Sequence, residues 1–94
     1  MVITLRKQIA EALERESLGL REISKLFSIK ERDVLDHLDH IAKSARSKRF
    51  TMEAAYCLHC GFSFRKRSRL STPGRCPICR SESIVPPRFQ LIDP

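Results

Sequence analysis

Ninety-four residues with a net charge of +7 make one small domain, or two that are each too small to rest on a hydrophobic core alone. No apolar run approaches the roughly 18 residues of a membrane span, and Met1 leads straight into a charged amphipathic segment rather than a secretory leader, so a soluble, cytoplasmic protein is expected. The charge is unevenly divided: residues 1–45 hold eight Lys/Arg against eight Asp/Glu, whereas residues 46–94 hold ten against three, which points to an acidic partner, nucleic acid foremost, for the second half.

Residues 4 to 16 carry Leu5, Ile9, Ala12 and Leu13 at helical spacing, with Thr4 placed to cap the N-terminus and Ser17-Leu-Gly19 ending the helix at its glycine. From Leu20 the apolar positions are Leu20, Ile23, Leu26 and Phe27. Ile29 then stands alone in a short polar turn, and Val34, Leu35, Leu38, Ile41 and Ala42 follow. Two helices joined by so short a turn, with one apolar residue plugging their angle and the small Ser24 where they cross, have the pattern of a helix-turn-helix. Lys43 to Arg49 is a basic, small-residue stretch. Phe50 to Tyr56 then alternates with a period of two, which predicts a strand running straight into Cys57.

All four cysteines lie in two matching pairs, Cys57-Leu-His-Cys60-Gly and Cys76-Pro-Ile-Cys79, with fifteen residues between the pairs. Each pair on a tight turn brings two thiolates together, and two facing turns supply the four soft ligands of a tetrahedral ion. Zinc is the expected metal; iron accepts the same four sulfurs. Four cysteines close the coordination shell, so the site reads as structural. Disulfides would satisfy the even count, but only in an oxidising compartment. Gly61 supports a backbone bending round the metal at φ > 0, where the second turn has the less suitable Arg80.

Beyond Cys60, Phe62 and Phe64 alternate with Ser63 and Arg65, which predicts a second strand. The run Arg65-Lys-Arg-Ser-Arg69 and the turn Ser71-Thr-Pro-Gly74 lead back to Cys76, completing a zinc ribbon. Ser83 to Val85 is a short strand candidate, Pro86-Pro87 a stiff corner, and Arg88 to Ile92 a last strand expected to pair with Phe50–Tyr56.

This order of parts, above all Tyr56 to Phe64, Arg75 to Cys79 and Pro87-Arg88-Phe89, resembles the small archaeal transcriptional regulators in which a winged helix-turn-helix is fused to a rubredoxin-like zinc ribbon. The resemblance implies an α+β fold of three helices with the ribbon inserted at the wing, the wing's stems near Phe50–Tyr56 and Phe89–Ile92, and Cys57, Cys60, Cys76 and Cys79 as metal ligands. The expected division is a helix-turn-helix over 1–49, and wing strands with the ribbon over 50–94.

The third helix departs from a DNA reader. It exposes Glu31, Asp33, Asp36 and Asp39 beside a single arginine, Arg32, and such a face is repelled by two phosphate backbones. The expected nucleic-acid contacts are therefore Arg46, Lys48, Arg49, Arg65, Lys66, Arg67 and Arg69. His37 and His40, spaced i, i+3, lack a third ligand and read as a solvated face; His59 is superfluous beside four cysteines. The leading expectation is a non-enzymatic DNA-binding regulator of transcription with no small-molecule substrate. The alternative is a protein-interaction adaptor within the transcription machinery, its acidic helix docking on a basic partner. An iron-bearing electron carrier is a third. No Ser/His/Asp set, glycine-rich phosphate loop or open metal site suggests an enzyme.

Overall fold

The computed structural model describes residues 4–44, 48–67 and 69–93. Helix α1, Leu5–Arg15, starts where Thr4 accepts the Lys7 amide on its hydroxyl, and it buries Ile9 and Leu13 completely. Glu16 is already extended. The next residues do more than break the helix: Leu18–Gly19 form a short strand, β1, and helix α2, Leu20–Phe27, follows without a loop. The start of α2 is capped by Glu22, whose carboxylate accepts the Gly19 amide at 3.0 Å.

The turn after α2 is closed twice by Ser24. Its carbonyl accepts the Ile29 amide and its hydroxyl donates to the Ile29 carbonyl, while Ser28 takes a left-handed conformation at φ 54°. Helix α3, Glu31–Ser44, begins with Glu31 and Asp33 in its first turn, a favourable placement for carboxylates against the positive end of the helix dipole. It buries Val34, Leu38 and Ile41 on one face, while Ala42 is exposed. No helix among the described residues is long and apolar enough to cross a membrane.

Strand β2, Arg49–Glu53, pairs antiparallel with the last strand, here β5, Arg88–Ile92, from Arg49 opposite Ile92 to Glu53 opposite Arg88; β1 pairs with the other edge of β5. The sheet order is therefore β1-β5-β2, with the final strand in the centre. Alternation along β5 turns Phe89 and Leu91 into the helices, where they join Ile9, Leu13, Leu18, Leu20, Ile23, Val34, Leu38 and Ile41 in one buried cluster. Burying each of the larger of these side chains contributes roughly 1.5–3 kcal/mol. Phe50 stacks on Phe89 diagonally across the strand pair, ring centroids 6.0 Å apart.

Two strand expectations need correction. The stretch from Phe50 to Tyr56 is not continuous: it divides into β2 and a separate two-residue strand, β3, Tyr56–Cys57. At Ala54 and Ala55 the chain leaves one sheet for another, and the inward positions shift from even to odd numbers, so that Ala55 and Cys57 are buried while Tyr56 is exposed. The strand expected from Phe62 to Arg65 is reduced to one bridge, Tyr56 opposite Ser63, because the metal turn precedes it and a second turn at Arg65-Lys66 cuts it off. The partner of β3 is β4, Ile84–Val85, the short strand expected before the proline corner. The whole molecule measures 50 × 30 × 19 Å.

Candidate metal centre and the basic face

Both cysteine turns are built alike. In the first, the Gly61 amide donates to the Cys57 carbonyl and the Cys57 amide donates to the Phe62 carbonyl; in the second, Arg80 donates to Cys76 and Cys76 donates to Ser81. The residue after each second cysteine must then be left-handed. Gly61 has φ 81° and Arg80 has φ 62°, so the less suitable residue adopts the same conformation as the glycine. Ser83 fastens the first turn by accepting the Leu58 amide.

These turns bring Cys57, Cys60, Cys76 and Cys79 together with all four sulfurs within 4.8 Å of one another. Cys57 to Cys79 and Cys60 to Cys76 are each 3.6 Å apart. Four sulfurs at about 2.3 Å from one zinc ion at tetrahedral angles lie about 3.8 Å apart, so the residues fit the metal. Without an ion the thiols cannot all ionise. The Cys60 amide leads the donors that hold Cys57 down to about 6 against its burial. At Cys60 the Phe62 amide also favours the thiolate, but burial and the neighbouring sulfurs outweigh it and push the thiol up to about 12. A divalent cation at the centre relieves that conflict by stabilising all four thiolates. The site binds zinc, and the four thiolates leave no position open in a tetrahedral shell. His59 is exposed on the first turn and outside the ligand group.

The seven expected phosphate-binding residues fare differently. Arg46 lies outside the described residues. Lys48 donates to the Asp93 carboxylate, which raises the pKa of the lysine and lowers that of the aspartate, with Glu14 a weaker partner at 4.0 Å. Arg67 is half-buried and bonds Ser71 twice, at its hydroxyl and its carbonyl, tying the basic loop to itself; its Nε is buried with no partner among the described residues. Arg49, Arg65, Lys66 and Arg69 are exposed, and none forms an ion pair among the described residues. Arg80, a further exposed cation at the metal turn, is in the same condition.

The acidic face of α3 is partly compensated from within. Asp36 has Arg6 and His40 each at 3.9 Å, Asp39 bonds Lys43 at 3.1 Å, and His37 accepts from Arg6 on Nδ1, which gives that histidine a structural partner. Leu70, from the basic loop, packs against the helical core, and Thr72 lines a crevice with Leu20, Arg21 and Glu31. The ribbon thus folds back toward the N-terminus of α3. Arg88, in the expected signature Pro87-Arg88-Phe89, has a structural partner set: it bonds Glu22 and Ser17.

Sequence reasoning missed one feature of the ribbon. Phe62, Ser63, Phe64, Arg65, Lys66, Arg67 and Pro77 line a cleft of 470 Å³. Its signal in the sequence is the pair Phe62 and Phe64 directly before the basic run, a pattern that alternation alone assigns to a strand.

Comparison with known proteins divides along the same lines. The family described as PF0610-like, N-terminal, matches residues 4–52, and the one described as PF0610 rubredoxin-like zinc beta-ribbon domain matches residues 54–93. Among solved structures, the solution NMR structure of protein PF0610 from Pyrococcus furiosus superposes with a TM-score of 0.80. It shares 30% sequence identity over 96% of this chain and 90% of that one. No curated protein matches.

Proposed function

This chain belongs to the PF0610-like family, and on that premise we propose that it is a cytoplasmic, non-enzymatic regulator of transcription that binds duplex DNA. In this reading α2, its turn and α3 form a helix-turn-helix, β2 and β5 are the stems of a wing, and the zinc ribbon extends that wing. The order α1-β1-α2-α3-β2-β5 with antiparallel pairing supports it. The observation that carries it is the uncompensated positive charge of Arg49, Arg65, Lys66 and Arg69, set against a third helix whose Asp36 and Asp39 already hold partners. Affinity then comes from phosphates met by strand and ribbon, and α3 adds little positive charge.

The test is a salt titration on random duplex with zinc-loaded protein. Each phosphate contact contributes roughly 0.9 to the slope of log affinity against log salt. Changing Arg65→Ala and Lys66→Ala together should flatten the slope by about two units, while Arg67→Ala should act through loop order rather than as one more contact. Absence of measurable duplex affinity at low salt overturns the reading. It would favour the adaptor alternative, for which the observation is that Glu31 and Asp33 are exposed at the start of α3 with no ion pair among the described residues.

A further inference from the structure

A phosphate backbone lying across a basic loop needs cations, but it has no use for an apolar recess beneath them. The ribbon has both. The 470 Å³ cleft is lined by Phe62, Phe64 and Pro77, with Arg65, Lys66 and Arg67 from the adjoining turn, and no carboxylate contributes to its lining. The second half of the chain has three carboxylates, and each lies elsewhere: Glu82 pairs with Arg75, Asp93 pairs with Lys48, and Glu53 sits on β2 opposite Arg88. Among the described residues no carboxylate pairs with Arg65, Lys66 or Arg67. The cleft's volume lies in the range of ordinary small-molecule clefts, and it is open on one side.

The two rings are placed edge to face, with centroids 5.0 Å apart and planes at 85°. In that arrangement the ring presenting its edge keeps both faces clear of its partner, and both rings are only partly buried. Partly open aromatic faces beside unpaired cations suit a base that has left its stack, with its phosphates on the cations. Duplex DNA keeps its bases stacked and cannot use such a recess.

We propose that this cleft binds an unstacked base of single-stranded DNA, with Phe62 and Phe64 contacting the base and Arg65 and Lys66 the flanking phosphates. The inference rests on the DNA-binding reading above and narrows it: Arg65 and Lys66 serve the phosphates of duplex and opened strand alike, and the two phenylalanines add a contact that only an unstacked base can use. Arg67, tied to Ser71, holds the loop that shapes the cleft.

The experiment measures binding of zinc-loaded protein to three labelled probes at one salt concentration: an oligothymidylate of about twelve nucleotides, an abasic deoxyribose-phosphate strand of the same length, and a random duplex. The thymidylate should bind more tightly than the abasic strand. Phe64→Leu, which keeps apolar volume but removes the aromatic face, should weaken thymidylate binding by roughly five- to a hundredfold and leave duplex and abasic binding unchanged. Phe62→Leu is the second variant, and retention of one zinc per chain certifies that each ribbon is folded. Equal affinity for the abasic and thymidylate strands overturns the inference while duplex binding stands. Displacement of the thymidylate by polyglutamate as readily as by unlabelled thymidylate would assign the cleft to an acidic protein surface and also overturn it. Loss of duplex and single-strand binding alike, in folded wild-type protein, removes the DNA-binding reading itself.

Discussion

Arg88 shows how one side chain can join three elements. From the first residue of the central strand its guanidinium donates to the Ser17 carbonyl and to Glu22, each at 2.7 Å, and to the Ser17 hydroxyl at 3.2 Å. Glu22 is at the same time the cap of α2. The start of β5, the link after α1 and the first turn of α2 are thus fixed by one fork of donors, a geometry lysine cannot reproduce. Its side chain is 42% exposed, so the gain from charge is partly screened, but three directed bonds remain. Arg88→Ala should lower unfolding free energy by about 1–3 kcal/mol, and Arg88→Lys should recover less than half of that loss in urea melts of the zinc-loaded protein. An Arg88→Lys chain as stable as the parent would mean that charge alone, and not the fork, fastens these elements. The same scale exposes a limit of reading by residue type. Gly61 announced its left-handed turn, whereas Arg80 and Ser28 adopt the same region where hydrogen bonds across each turn require it.

At the scale of elements, the helical half and the ribbon depend on different forces. The main buried cluster draws on α1, β1, α2, α3 and β5, and none of its fully buried members lies between Ile41 and Phe89. The ribbon has little beyond Ala55, Cys57, Pro73 and Cys76 buried, which leaves metal to supply what a core would. Structural zinc contributes on the order of 10–16 kcal/mol in small finger peptides. Chelation should therefore collapse amide dispersion over residues 56–85 while α1 to α3 and the β2–β5 pairing persist, and Cys57→Ser or Cys76→Ser should do the same. Heteronuclear spectra before and after chelation check this; a ribbon that keeps its dispersion without zinc, or helices that melt with it, would contradict it. The division explains what the sequence made legible. Helical periodicity marked α1 to within a residue and the apolar faces of α2 and α3, and paired cysteines marked the metal, since both signals are local. The two-residue strand β1 was hidden, because its extension depends on a strand some seventy residues away. The break at Ala54–Ala55 was hidden for a related reason. Apolar alternation continues through it, but the partner strand changes from β5 to β4.

At the scale of the whole molecule, the excess positive charge belongs to residues 46–94 while the exposed carboxylates of α3 belong to the first half, and the two functional readings turn on which of the two acts. Asp36 and Asp39 decide between them. If duplex DNA is the partner, the exposed face of α3 is near enough to the ribbon loop to feel the phosphates held there, because Leu70 packs on the helical core and Thr72 shares a crevice with Glu31. Asp36→Asn with Asp39→Asn then removes two repulsive charges and releases Arg6 and Lys43 from their present partners, a change of two positive units in effect on that face. Duplex affinity at low salt should hold or rise, and the gain should fade as salt shortens the screening length toward about 8 Å. Stability should change little, since all four side chains in these pairs are at least two-fifths exposed. The adaptor reading requires the opposite: a basic protein partner held by the wild-type helix and lost in the double variant, with duplex affinity negligible in both. A filter-binding series on wild type and double variant across salt, run beside a pull-down with the same two proteins, separates them, and a fall in duplex affinity on neutralising the aspartates would show that α3 reads DNA through its carboxylates rather than merely tolerating it.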